Sequence, residues 1–244
     1  FSYYKTFVIE AEYGFNRMTT RTFITDKLKS WAMMLFIGGG ILALITWIYE
    51  LVRTDFWWYA WIVIAVFMIF MNFFYSKLIV PLFNKQTPLE QGELKEAIEA
   101  YASSVGFQLD NIFVIDGSKR STKANAYFSG FGKQKRITLY DTLINDLETD
   151  EIVAVLAHEV GHYKHKHVLF NLLESMMMTG LTLFIFSLLV DNENLSLALG
   201  VQTVSFHIGL IAFGILYSPI SEFTGFFMNL VSRKFEFQAD NFAR

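Results

Sequence analysis

Four stretches of this chain are long and almost free of charge. Trp31–Tyr49 and Phe56–Ser76 contain no charged residue. Val168–Val190 contains only Glu174. Asn194–Ser221 is uncharged, and after Glu222 the apolar run resumes to Ser232. A bilayer core of about 30 Å is crossed by about 20 apolar residues in a helix. Inside lipid the backbone must satisfy its own hydrogen bonds, so each such run is expected to be helical. Composition supports this reading. Of 244 residues, 53% are hydrophobic and 18% charged, too little polar surface to cover a soluble core of this size. Trp31, Trp47, Trp57, Trp58 and Trp61 fall toward the ends of the first two runs, where interfacial aromatics are placed.

The runs pair into two hairpins, residues 31–76 and 168–232, with tips at Glu50–Asp55 and Asp191–Glu193. A polar insertion, residues 77–167, separates them. An N-terminal segment, 1–30, and a C-terminal helix, 233–244, flank them. All 20 Lys and Arg except Arg53 lie outside the hairpins. By the positive-inside rule, both ends and the insertion face the cytosol. Glu50, Asp55, Asp191 and Glu193 mark the far side. The expected class is mainly α: a multi-pass α-helical membrane protein whose insertion carries a small β-hairpin or sheet.

With no Cys, a disulfide scaffold, a thiolate metal site and a cysteine nucleophile are excluded. A net charge of −3 gives no footprint for nucleic acid. The composition is not that of a disordered or low-complexity chain. The start, Phe1–Lys29, has no signal-peptide pattern, and a first residue of Phe is not expected of a native N-terminus.

Within the insertion, Pro88-Leu89-Glu90 opens an expected helix to about Val105, with Leu94, Ile98 and Tyr101 at helical spacing. Asn111–Ile115 reads as a strand. Ala124–Gly130 and Arg136–Tyr140 read as two more, joined by a turn at Phe131–Lys135. Capping residues in Asp141–Asp150 precede a helix over Glu151–Lys164, with Ile152, Val155, Leu156 and Val160 on its buried side.

That helix contains His158-Glu159-Val160-Gly161-His162. Histidines at i and i+4 project from one face, one turn apart, so both can reach one Zn²⁺ at about 2.0–2.1 Å. Glu159 stands beside them, where it can take a proton from water activated by the metal. Zinc needs a third protein ligand and an open position. His165 lies about 10 Å along a straight helix from His158, out of reach, and His165 with His167 reads as part of a basic interfacial collar. His207 reads as a mid-membrane polar residue. Three glutamates stay open. Glu174 is on the continuation of the same helix. Glu222 returns to about the depth of His162 when counted from the second tip. Glu236 overshoots that depth on a straight helix, but shares a helical face with Asp240, and Arg233 lies one turn before it. A ligand carboxylate with a second carboxylate nearby is a common metal-site arrangement.

HEVGH, the later EFQAD, and GSKRSTKANAYFSGFGKQKRITLYDTLI together resemble the type I CAAX prenyl proteases, integral-membrane zinc metalloproteases of the gluzincin kind. The likeness extends over nearly the whole chain, including KTFVIEAEYGFN and SPISEF. It implies one zinc held by His158, His162 and Glu236, with Glu159 as catalytic base. It implies a catalytic role for Asp240, as proton donor or as a group orienting a ligand. Arg233, one turn before Glu236, reads from its position as a supporting residue behind the ligands. Asn125 and Ala126 match a segment that binds substrate backbone from an edge strand. The resemblance also implies a water-filled chamber, with Glu174, Glu222 and Asn229 suited to its wall. Family members have further spans and a longer C-terminal region, so the chain reads as a catalytic core. The implied reaction removes the last three residues of prenylated CAAX proteins. The implied partners are prenylated C-termini and the lipid bilayer, without nucleic acid. The implied location, in a eukaryote, is the endoplasmic reticulum and nuclear envelope, with the active site facing the cytosol. Two rivals are a membrane quality-control metalloprotease for misfolded or stalled proteins and a non-catalytic zinc-binding scaffold. The GSKRS…NAYF stretch favours the prenyl protease over the first, and the intact Glu159 argues against the second.

Overall fold

The computed structural model describes residues 1–107, 109, 111–129 and 136–244. The turn expected at Phe131–Lys135 lies outside them. In chain order the principal helices are α1 (Thr20–Met33), α2 (Gly39–Val52), α3 (Phe56–Leu78), α4 (Glu93–Ser104), α5 (Thr149–Lys164), α6 (His167–Leu189) and α7 (Phe206–Ala243). The strands are β1 (Gln86–Pro88), β2 (Asn111–Ile115), β3 (Ala126–Ser129) and β4 (Arg136–Tyr140). Contacts divide the chain into two units. One is residues 1–32, 70–166 and 237–244; the other is 33–69 and 167–236. The division at 236/237 falls inside the unbroken helix α7.

The second unit holds most of the apolar helix. Among the described residues, Thr20–Phe83, His167–Leu189 and Phe206–Ala243 are long and apolar enough to cross a membrane. The first covers 64 residues, or roughly 96 Å if straight at 1.5 Å per residue, so it must turn. It does so in the 3₁₀ turn Arg53–Asp55, where Arg53 takes φ +48°, a conformation uncommon for a side-chain-bearing residue. Its guanidinium lies over the Tyr49 ring at 4.9 Å. The first two expected spans are therefore the arms of one hairpin.

The hairpin tips meet in an aromatic core of Ile45, Tyr49, Phe56, Ala60, Phe186, Val190, Phe206 and Phe213. Tyr49 and Phe56 pack edge to face at 5.3 Å, and the buried Tyr49 hydroxyl donates to Asp191. Further along, Trp61 Nε1 donates to the Met176 carbonyl at 2.7 Å, tying α3 to α6.

The fourth span differs from expectation. Asn194–Ser205 does not enter it. Instead, Glu193–Ala198 forms a short helix at the tip and α7 begins at Phe206. Leu and Val in this stretch mimic a span by composition, but Asn192 caps the short helix through the Asn194 N–H at 2.9 Å, and Gly200 takes φ +76°. His207 accordingly lies in the first turn of α7, not mid-helix, with its Nε2 3.3 Å from the Ser205 hydroxyl. Pro219 and Gly225 do not interrupt α7.

This shift resets the depth count. α6 and α7 run antiparallel, with Phe186 on Phe213 at 5.1 Å, Thr182 bonded to Tyr217 at 2.7 Å, and His167 stacked on Phe235 at 4.1 Å. Glu222 falls midway along this pairing. Glu236 follows Phe235 at its His167 end. His167 is buried, part of the packing and not of an exposed collar. Glu174 is not on the His helix either: α5 ends at Lys164, and Lys166 takes φ +59° before α6 starts.

In the first unit a four-stranded sheet has the order β1-β2-β4-β3. β1 was not anticipated; its Pro88 sits at the sheet edge, where a missing N–H is tolerated. The helix expected from Pro88 starts instead at Glu93. β2 pairs parallel with β4, and β3 antiparallel with it. β3 is thus an edge strand. Ile152 and Leu156 of α5 pack against Ala126, Ile137 and Leu139 of the sheet, with Ile98 and Ile112 closing the core.

Gly209 gives a test of the second unit. A Cβ there would lie 2.5 Å from the Val190 carbonyl oxygen, whereas one at Gly214 would meet nothing within 4 Å. Gly209→Leu should lower stability by about 1–3 kcal/mol in detergent thermal unfolding, and Gly214→Leu should leave the midpoint nearly unchanged.

Candidate metal centre

α5 starts at a reciprocal cap. The Glu148 N–H donates to the Glu151 carboxylate at 2.9 Å, and the Glu148 side chain accepts from the N3 backbone, satisfying otherwise orphaned donors. The helix then seats Ile152, Leu156, Ala157 and Val160 in the core. With that face fixed, His158 and His162 project together from a half-buried flank.

The two imidazoles converge. Their centroids are 4.8 Å apart and their Nε2 atoms 3.1 Å apart. Tetrahedral ligands at about 2.05 Å from zinc stand about 3.3 Å from each other, so the pair fits a metal. His158 Nδ1 lies 2.8 Å from Asp240 Oδ1. A proton on Nδ1 donated to that carboxylate leaves the Nε2 lone pair facing His162, the tautomer that a ligand requires.

Asp240 comes from the end of α7, and Gly161 lets it come close. A Cβ on Gly161 would lie 3.0 Å from Ala239 Cα and 3.1 Å from both the Ala239 carbonyl oxygen and Phe242 Cβ. Ala239 is fully buried. Two small residues, one inside each sequence motif, thus set the distance between the helices. Neither residue is a metal-ligand type, but a glycine in a helix interior is itself a signal of close approach. Beside this contact is an open cleft of about 550 Å³ lined by Ala154, Val155, His158, Asp240, Ala243 and Arg244.

Glu236 and Arg233 precede Asp240 by one and two turns on α7 and are exposed. They belong to a polar stripe that reading by motif missed. Ser218, Glu222, Gly225, Asn229, Arg233, Glu236 and Asp240 recur at intervals of three and four along the helix, all on one face. Phe213, Tyr217 and Phe235 occupy the packed side. Glu159 is half-buried, next to His158.

Ala126 begins β3, and Asn125 immediately precedes it. The Tyr140 N–H donates to the Asn125 carbonyl at 3.0 Å. In an antiparallel ladder, bonding alternates. Asn125, Tyr127 and Ser129 therefore bond inward to β4, and the backbone groups of Ala126 and Phe128 face the open edge. Asn125 Oδ1 accepts from the Ala126 N–H at 2.9 Å. The opposite face of the sheet is closed: burial pushes the Tyr127 hydroxyl pKa up, and Arg136 lies 3.9 Å over the Phe113 ring.

Gly161→Leu should separate the helices, lowering zinc content and thermal stability together. Asp240→Asn should keep the fold and weaken zinc affinity about 10–100-fold, as read by metal titration.

Residues 88–244 match the model of Peptidase family M48, and residues 1–85 match "CAAX prenyl protease N-terminal, five membrane helices". CAAX prenyl protease 1 of Saccharomyces cerevisiae is 42% identical over all of this chain and 57% of its own length. The Dictyostelium discoideum homologue is 43% identical, over all of this chain and 58% of its own length. The crystal structure of S. mikatae Ste24p superposes with a TM-score of 0.93 at 42% identity, covering 99% of this chain and 60% of that one. The chain thus spans little more than half the length of these relatives. With the paired histidines, the Asp240 contact and a family match over most of its residues, the chain belongs to peptidase family M48.

Proposed function

We propose that the protein of which this chain is part is a zinc-dependent membrane endopeptidase that removes the last three residues of prenylated CAAX proteins. The observation that carries the reading is the His158–His162 pair with Asp240 on His158 Nδ1. His158, His162 and Glu236 offer one donor atom each, two imidazole nitrogens and a carboxylate oxygen. The antiparallel pairing of α6 and α7 favours Glu236 over Glu222, because Glu222 sits midway along it. Zinc in this set supplies a Lewis acid that polarises the scissile carbonyl and acidifies water.

The remaining steps belong to side chains and backbone. Glu159, adjacent to His158, accepts a proton from the attacking water and hands it to the departing nitrogen. Asp240 holds the His158 ring in one tautomer and orientation. Arg233 stands behind the ligands on the same face of α7. A peptide docks as an added strand along β3, bonding to the Ala126 carbonyl and the outward backbone of Phe128, with Asn125, whose Oδ1 holds the Ala126 N–H, shaping the start of that edge. Backbone pairing is indifferent to side chain, which suits a substrate class defined by its lipid. The prenyl chain partitions toward the apolar helices. The names of the relatives, CAAX prenyl protease 1 and its homologue, support this substrate class. On this reading the protein sits in the endoplasmic reticulum membrane with the insertion on the cytosolic side, as the distribution of Lys and Arg favours.

In the full-length protein, Glu159→Gln should retain zinc and fold while lowering turnover of a farnesylated C-terminal peptide at least about 10²-fold. Glu236→Gln should lose zinc, and Glu222→Gln should keep it. Undiminished turnover in Glu159→Gln, or the reverse metal pattern, would refute these roles.

Sidedness is tested with cysteines, since the chain has none. Cysteines at Thr54 and Asn192 should react with an impermeant reagent from one side, and a cysteine at Glu96 from the other. Labelling of all three from the same side would overturn the topology.

A further inference from the structure

The edge strand depends on the loop that delivers it. β2 and β4 are neighbours, and β3 lies beyond β4. The chain leaving Ile115 must therefore cross the end of β4 before starting β3 at Ala126. The crossing is tied down along its length. Asp141 accepts the Ser118 N–H at 2.8 Å, and the Thr142 hydroxyl donates to the Lys123 carbonyl at 3.0 Å. Asn16 and Ser121 form an antiparallel bridge. Around it, the Arg17 N–H donates to the Arg120 carbonyl and the Thr122 N–H to the Phe15 carbonyl, both at 3.1 Å.

Arg120 adds a charged anchor. Its Nε and Nη2 donate to the two oxygens of Asp26 on α1, at 2.8 and 3.1 Å. Nη2 also donates to the Phe83 carbonyl at 2.6 Å, at the end of the short helix Val80–Phe83. Both charged side chains are only 18% exposed. A pair this enclosed loses in desolvation much of what it gains in attraction, so it is a weak source of net stability. A planar fork holding a carboxylate and a carbonyl fixes geometry in a way that a lysine cannot. The geometry fixed here is the take-off of the edge strand, six residues from Arg120.

We infer that Arg120 is a positioning residue for peptide docking, acting through the 117–125 loop on the outward backbone of Ala126 and Phe128. The inference rests on the edge-docking reading above. Arg120 does not touch the reacting atoms, so its loss acts on peptide binding and spares the metal and the chemical step.

The test uses the full-length protein and a farnesylated C-terminal peptide. It compares wild type, Arg120→Lys, Arg120→Met and Asp26→Asn by kcat, KM, zinc content and thermal midpoint. KM should rise at least about fivefold in Arg120→Met and Asp26→Asn, with kcat within about twofold and zinc unchanged. Arg120→Lys, which keeps the charge but not the fork, should fall between them and wild type. Unchanged KM, or kcat and zinc falling in step with stability, would overturn the inference and leave the protease reading standing. A wild-type protein that cleaves no such peptide would overturn both. Asp26→Asn preserves volume, so it decides the matter if Arg120→Met fails to fold.

Discussion

The metal-site geometry of the first unit rests on a close helix approach made by two residues with almost no side chain. Where Gly161 meets Ala239, the His helix and the end of α7 come so near that one added methyl group would press on backbone. Larger residues would push the helices toward an ordinary separation of 8–10 Å. At that distance the short Asp240 side chain would not reach His158 Nδ1. The hydrogen bond that orients the histidine is therefore a consequence of packing. Gly161 sits in an otherwise well-supported helix, where glycine costs about 0.5–1 kcal/mol relative to alanine, and the capped start and buried face of α5 offset that cost.

Much of this was open to reading from residues. The HEVGH spacing places two imidazoles on one face because helix geometry is local. Ile152, Leu156 and Val160 repeat on the side that turns out buried. The strands Asn111–Ile115 and Arg136–Tyr140 are rich in β-branched and aromatic residues bounded by turn signals, and the structure has them at those limits. The first hairpin was legible because a 3₁₀ turn carrying Arg53 and Asp55 interrupts apolar sequence.

What escaped depends on local cap chemistry in one place and on partners far away in the chain in others. Asn194–Ser205 has the composition of a span and folds as a tip, because Asn192 and Gly200 supply cap and turn chemistry that hydropathy does not count. The same composition places His207 mid-span, whereas it lies in the first turn of α7. His167 reads as basic and exposed, but it stacks on Phe235 across 68 positions of sequence. β1 escaped because Gln86-Thr87-Pro88 has no strand propensity; it exists because β2 offers it an edge.

The polar stripe runs along one face of α7. A helix that crosses lipid gains nothing from Ser218, Glu222, Asn229 and Arg233 on one face, since unpaired polar groups in hydrocarbon are costly. Their register is the register of Glu236 and Asp240 on the same helix. The packing that presents Asp240 to His158 is set within 237–244, and the packing that presents Phe235 to His167 is set within α6 and α7. Glu236 and Asp240 therefore share one helical face with the polar groups Ser218, Glu222, Asn229 and Arg233. On the proposed protease reading hydrolysis needs water, and a polar face running along α7 is a surface of that helix on which water is favoured over lipid.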